Sequence, residues 1–292
     1  MNILVTGANG QLGTALREAS RGSQDRWIFT DVSQLPGVET VYLDITDPAA
    51  VDIVCDSEQV DVIVNCAAYT AVDRAESDVA LCMAVNVNGP ANLARSARRH
   101  DAVLVQISTD YVFDGRRKNG ISYTEASRRH PISVYGESKR RCEDAIRRIG
   151  CRGVIIRTAW LYSPFGKNFV KTMLRLGAEK SEIGVVADQF GSPTYARDLA
   201  QAILDILPKI DAQHGEIYHY TDEGRCSWAE FAARIMQEGG LNCRINPLTT
   251  AQYPTPASRP AWSVLSKEKI RRDFGVATPP WEVSLKDCLK RL

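Results

Sequence analysis

The 292-residue chain carries 36 basic and 35 acidic side chains, a formal net charge of +1, with hydrophobic residues at 44%. So even a balance gives no electrostatic footprint for nucleic acid, and short arginine pairs such as Arg98-Arg99 and Arg140-Arg141 read as solvated helix faces. No apolar run is long enough to span a bilayer and no charged leader precedes the first one, so a cytoplasmic, soluble protein that engages neither nucleic acid nor membrane is expected.

Taken in chain order, Asn2 to Thr6 reads as a first strand, Leu12 to Ala19 as a helix, Trp27 to Asp31 as a second strand and Val41 to Asp44 as a short third. Val60 to Cys66 is a strongly apolar fourth strand, followed by a long helix near Ala80 to Arg99, a strand at Ala102 to Ser108, a helix through Tyr135 to Ile149 and a strand at Gly153 to Thr158. Strands alternating with helical patterns specify an α/β fold, a Rossmann-like doubly wound parallel sheet with ligands at the C-terminal ends of its strands. After Trp160 the pattern changes: a helix at Phe169 to Leu176, an extended piece at Ile183 to Asp188, a helix at Ala196 to Leu207 and a strand at Glu216 to Tyr220. A helix at Trp228 to Glu238, a proline-rich stretch at Tyr253 to Pro260 and a last helix complete the chain. The expected division is a dinucleotide-binding domain over 1–158, to which segments of roughly 183–220 return, and a smaller, partly interleaved C-terminal substrate-binding lobe over 159–182 and 221–292.

Eight cysteines (55, 66, 82, 142, 151, 226, 243 and 288) contain no CxxC pair, and the four histidines are dispersed. Reduced, mostly buried thiols and no metal centre are expected.

Gly7, Gly10 and Gly13 lie in the turn between the first strand and the first helix, where glycines permit a tight turn and close approach of a pyrophosphate to the amides at the helix start. Gln11 and Leu12 fall inside that loop. Asp31 ends the second strand, placed to accept hydrogen bonds from an adenosine ribose and, by its charge, to disfavour a 2′-phosphate. Tyr135 and Lys139 are four residues apart on one helix face, so the ammonium is expected to lower the phenol pKa and make it a usable acid near neutrality.

The glycine spacing together with the tyrosine-lysine pair resembles the extended short-chain dehydrogenase/reductase superfamily. That resemblance places Asp44 and Ile45 at the adenine, Ala68, Tyr69 and Thr70 in the loop lining the cofactor, and Asn86 as a structural asparagine. The stretches Ala71 to Glu76, Ser108 to Gly115, Asn168 to Leu174, Asp188 to Thr194 and Tyr253 to Pro260 narrow it to the dTDP-4-dehydrorhamnose reductase family over nearly the whole chain. The resemblance implies reduction of a 4-keto group on a thymidine-diphosphate sugar by NADPH or NADH. Tyr135 would be the proton donor, Lys139 would hold the nicotinamide ribose and tune Tyr135, and Thr109 would bond the reacting oxygen. Thr109, Asp110 and Trp160 would contact the sugar, and Arg259 the nucleotide phosphate.

The chain departs from the family at Trp262, where asparagine often precedes Ser263, and at Ala15, which is glutamate in some metal-bridged dimers; a monomer or weak homodimer is expected. Two rival readings share the scaffold. One is another sugar-nucleotide epimerase or reductase, or a dehydratase, the last disfavoured because Tyr111 stands where a glutamate follows the Thr-Asp pair. The other is a non-catalytic binding module, similar to the regulatory subunit of methionine adenosyltransferase.

Overall fold

The computed structural model describes residues 1–117, 120–210 and 213–292. Six strands, β1 (Asn2–Thr6), β2 (Arg26–Asp31), β3 (Val41–Tyr42), β4 (Val62–Asn65), β5 (Val103–Thr109) and β6 (Gly153–Thr158), form one parallel sheet with the later edge strand His214–His219. Their spatial order is β3-β2-β1-β4-β5-β6 and then the edge strand. Every residue of β4 and of β6 is buried, because helices cover both faces of a parallel sheet. The strand order reverses between β1 and β4, so a crevice opens where these two strands end, at Gly7 and Cys66.

Two apolar layers sandwich the sheet. One packs Ile3, Val5, Val64 and Val105 against α1 (Gln11–Ala19) and later helices. The other packs Leu4, Ile63 and Leu104 under α2 (Pro48–Ser57), α5 (Gly89–Arg99) and α6 (Val134–Ile149). Helix α2 was not anticipated, although Asp47 caps it through the amides of Ala49 and Ala50 and Pro48 occupies its first turn.

The long helix expected from Ala80 to Arg99 is divided. After the short α3 (Val72–Ala75), α4 (Val79–Met83) passes through a π-helical segment, Ala84–Asn88, into α5. Pro90 cannot donate to the turn before it, and the widened register turns Asn86 inward.

The later chain requires a correction to the expected division. The strand Glu182–Val186, expected to begin the return to the sheet, pairs instead with Arg244–Leu248, and Val185 packs in a separate cluster with Phe231 and Trp281. That cluster holds α7 (Phe169–Glu179), α9 (Trp228–Glu238) and α11 (Trp281–Leu289). The chain rejoins the sheet domain at α8 (Ala196–Ile206), whose Leu199 and Ile203 enter the first apolar layer. It does so again at α10 (Glu268–Phe274), whose Ile270 and Phe274 pack in the same layer, inside the stretch assigned to the lobe. Pairing with Arg244–Leu248, not sequence proximity, decides where residues 182–186 belong. All eight cysteines are free, and seven are buried. Among the described residues no helix is long and apolar enough to cross a membrane.

Candidate active site

The crevice at the switch point begins with the glycine turn. Gly7 has φ +64°, and a Cβ there would lie 2.5 Å from the Ala67 nitrogen; at Gly13 a Cβ would lie 2.4 Å from the Ala8 Cα. These two glycines let the turn fold onto the end of β4 and let α1 close on the turn. Gly10 starts α1 without a side-chain cap and with no acidic residue in the first turn, which leaves amides and the positive end of the helix dipole facing the crevice. An uncapped helix start beside a glycine cradle fits a dinucleotide pyrophosphate.

Polar side chains brace the strand ends. Thr6 donates to Asn65 Oδ1 at 2.5 Å, Asn65 donates to Gln106 Oε1 at 2.7 Å, and Gln106 donates to the Ile107 carbonyl at 2.7 Å. Asn86 clamps the backbone of Tyr69 from both sides, accepting from its amide at 2.8 Å and donating to its carbonyl at 3.0 Å, and also donates to Ser138 Oγ. This fixes the Ala68–Thr70 loop against α6.

Two adjoining cavities occupy the crevice. The smaller, about 230 Å³, is lined by Gly7, Gly10, Asp31, Asp44, Ile45 and Ala68, and suits the adenosine half of a dinucleotide. Asp31 already accepts from the Asn9 amide at 3.0 Å and from Ser33 through its other oxygen, so it holds the glycine loop as well as facing the cavity. Asp44 accepts from the Thr46 amide and hydroxyl, both at 2.8 Å.

The larger cavity, about 520 Å³, brings together Gly7, Gly10, Gln11, Leu12, Ala68, Thr70, Thr109, Asp110, Tyr135, Lys139 and Trp160. Three of the expected site residues lie elsewhere. Gly13 packs within the loop; Tyr69 turns its hydroxyl to Asp78, 3.1 Å away; and Arg259 donates to Asp73 Oδ2 at 2.7 Å. Lys167 and Asn168 line the cavity and were missed as site residues. Asn168 donates to Gln11 Oε1 at 2.9 Å, so Gln11 ties the glycine turn to that loop.

Tyr135 and Lys139 sit on the first turns of α6, which Ser133 caps by accepting from the Gly136 amide. A Cβ at Gly136 would lie 2.3 Å from the Tyr111 carbonyl, so the helix start presses against the residues that follow Thr109. The Tyr111 ring packs edge-on against Tyr135 with centroids 5.6 Å apart.

Burial acts against the expected lowering of the phenol pKa. Burial pushes the Tyr135 phenol above its ordinary value of 10, with the Thr109 hydroxyl acting in the opposite direction. Lys139, 2% exposed, donates from Nζ to the Ile107 carbonyl at 2.7 Å, and burial lowers its own pKa. The ammonium is thus committed to the end of β5, and burial is the largest influence on the phenol.

Asp110 is 1% exposed, and burial pushes its carboxyl up to about 6, the hydroxyls of Ser263 and Thr109 opposing this. Thr109 Oγ1 donates to Asp110 Oδ1 at 3.0 Å, while Oδ2 has no partner of hydrogen-bonding geometry among the described residues. Trp160 adopts φ +48°, a strained backbone for a tryptophan, and its ring stacks on Trp228 with centroids 3.5 Å apart. Trp262 is core: it is 3% exposed, donates to the Ile121 carbonyl at 2.9 Å and packs with Phe113 and Leu265.

A family model described as the RmlD substrate binding domain matches residues 1–292. A dTDP-4-dehydrorhamnose reductase of Aggregatibacter actinomycetemcomitans is 39% identical, the match covering 98% of this chain and 97% of that protein. The crystal structure of a dTDP-4-dehydrorhamnose reductase from Clostridium acetobutylicum superposes with a TM-score of 0.93 at 40% identity, covering 100% of this chain and 99% of the other. The structure of the Bacillus anthracis reductase in complex with NADP gives 0.90 at 36% identity, with 100% and 99% covered. With a family match spanning every residue and a relative 39% identical over 98% of the chain, the chain belongs to the RmlD substrate-binding-domain family, that of the dTDP-4-dehydrorhamnose reductases.

Proposed function

We propose that the chain reduces the 4-keto group of dTDP-4-dehydro-L-rhamnose to give dTDP-L-rhamnose, using NADPH or NADH. The observation that carries this reading is that Thr109, Tyr135 and Lys139 line one cavity, which adjoins the glycine cradle. A bound nicotinamide supplies the hydride. The carbonyl oxygen gains alkoxide character as the hydride arrives and needs an acid, and the buried Tyr135 phenol, held protonated, is the donor. Thr109, by turning its hydroxyl proton from Asp110 Oδ1, shares the reacting oxygen with Tyr135 and steadies the developing charge. Lys139 holds the end of β5 through Ile107 and offers its remaining donors to the nicotinamide ribose.

Asp110, with one oxygen unengaged, and Trp160 border the sugar. Arg259 meets the nucleotide diphosphate by exchanging Asp73 for phosphate oxygens, to which a guanidinium fork is suited. Both cofactors are used, because Asp31 already has protein donors at each oxygen and the exposed, uncharged Val32 lines the adjoining cavity beside it. The chain works as a monomer or weak homodimer: Ala15 is buried in the first apolar layer and offers no carboxylate to a bridging metal.

The test is oxidation of NADPH and of NADH on addition of dTDP-4-dehydrorhamnose. Turnover is expected with both, and Tyr135→Phe is expected to lower kcat roughly 100- to 10,000-fold while still binding cofactor. Folded protein that turns over with neither cofactor would falsify the reading, and near-normal kcat in Tyr135→Phe would remove the phenol from its role.

A further inference from the structure

A third cavity, about 750 Å³, shares no lining residue with the two in the crevice. It lies between the 124–129 segment, the Arg140 and Arg147 face of α6, the edge strand His214–His219 and the start of α10. Its volume is in the range of small-molecule sites. Seven cationic and three acidic side chains line it, and no aromatic ring does.

Five of the seven cations are already in ion pairs. Arg157, 0% exposed at the floor, pairs with Glu143, and Lys269 pairs with Glu216 at the rim. The two that remain, Arg128 and Arg147, are exposed and have no ion-pair partner among the described residues. They come from different segments and converge on one concavity. Gly215, with φ +67°, keeps the strand edge low where the Arg147 stem passes: a Cβ there would lie 3.3 Å from Arg147 Cγ. The outward polar groups of the edge strand are covered as well, since Glu125 accepts from the His219 amide at 3.2 Å and Lys269 donates to the Ile217 carbonyl at 2.9 Å. Glu125 and Glu268 on the same lining have no ion-pair partner among the described residues either, so what the cavity offers an anion is the two free guanidinium groups and not a net positive charge.

We propose that this cavity binds a compact polyphosphorylated anion, with Arg128 and Arg147 as the two forks that grip it. Guanidinium forks match phosphate oxygens in pairs, and two forks from different segments lining one cavity select a ligand with at least two phosphates over a single one. The lack of an aromatic ring leaves nothing for a nucleobase to stack on, so the recognised part is the phosphate chain or a phosphorylated sugar.

The test is calorimetric titration of the full chain with inorganic tripolyphosphate at ~150 mM salt, where loose surface attraction is screened. NADPH is kept at saturation so that the cofactor cradle is filled. Wild-type protein and Arg259→Ala are expected to bind one equivalent with equal affinity, and orthophosphate to bind at least about tenfold more weakly. Arg128→Gln/Arg147→Gln is expected to lose roughly tenfold for each arginine, the scale of one charge-assisted hydrogen bond, with an unchanged circular dichroism spectrum. No binding by the wild type, binding that the double variant leaves within about twofold, or binding lost in Arg259→Ala would each overturn the proposal.

Discussion

Removing the Glu143 carboxylate should destabilise the protein severely while sparing its surface. Glu143 is 0% exposed and accepts from Ser108 Oγ at 2.6 Å, from Arg157 Nε at 2.8 Å and Nη2 at 2.7 Å, and from Arg129 at 3.1 Å. Arg157 is equally buried, and its Nη1 lies 3.2 Å from Nε2 of His219. A guanidinium only donates, so that histidine nitrogen accepts and the ring proton sits on Nδ1; burial holds the imidazole neutral, well below its ordinary pKa. In Glu143→Leu the Arg157 charge is left buried without its counter-ion, which costs about 3–5 kcal/mol. A domain's whole stability is only about 5–15 kcal/mol, so the variant should be close to unfolding at physiological temperature. In Glu143→Leu/Arg157→Met both charges go; the orphaned His219 nitrogen and Ser108 hydroxyl cost about 1–3 kcal/mol each, and the Ser108 loss is common to both variants, so the difference between them is the unpaired charge against one unsatisfied nitrogen. Urea denaturation followed by tryptophan fluorescence should therefore rank the double variant as more stable than Glu143→Leu. A Glu143→Leu loss below about 1 kcal/mol, or a double variant less stable than the single, would refute the reasoning.

Two further outcomes follow from the site. Trp228→Ala removes the ring on which the strained Trp160 is stacked, a pairing worth about 0.5–1.5 kcal/mol, so the KM for the sugar nucleotide should rise about two- to tenfold while the cofactor KM holds; an unchanged sugar KM would detach Trp160 from the substrate. The pH profile of reduction should have limbs set by two buried groups. On the acid side, Asp110 is ionised only above about 6, so sugar KM should worsen as pH falls through that value, and Asp110→Asn should abolish the limb. On the alkaline side, the phenol stays protonated past its ordinary value of 10 while burial lowers the Lys139 pKa, so a fall of kcat toward high pH is set by Lys139; an ultraviolet difference titration of wild type against Tyr135→Phe that shows phenolate between neutrality and pH 9 would contradict the burial effect at Tyr135.

The sheet was legible because its signals are local: β4 and β6 are continuous apolar runs, and β1 leads into a glycine turn. The same holds for the residues at the strand ends, since Thr109, Tyr135 and Lys139 each occupy the end of β5 or the start of α6. Long-range partners were not legible. Nothing in the Glu182–Val186 segment says that its neighbour is Arg244–Leu248, in which Pro247 interrupts the strand pattern. Arg259 reads as a phosphate ligand from its own segment, yet its partner Asp73 lies 186 positions away, and only the fold brings them to 2.7 Å. Lys167 and Asn168 carried one usable signal, an Asn three residues before the Lys171 amide that it caps, which marks a helix start at the C-terminal end of the sheet.

The raised phenol pKa clarifies what the tyrosine–lysine spacing does. A proton donor is useful in proportion to the fraction that holds its proton, and at neutral pH a phenol titrating at 10 or above is fully loaded. Lowering it toward 7 would empty half the sites while gaining about 1.4 kcal/mol of driving force per unit, for transfer to an alkoxide that is far more basic than phenolate in either case. In the proposed reduction Tyr135 begins protonated, which is the state that burial favours. In the proposed reaction Lys139 contributes through position, because its hydrogen bond to the Ile107 carbonyl holds the end of β5 that carries Thr109. Four-residue spacing on a helix puts the ammonium on the right face, but it is the strand end at 2.7 Å that determines where its charge is spent.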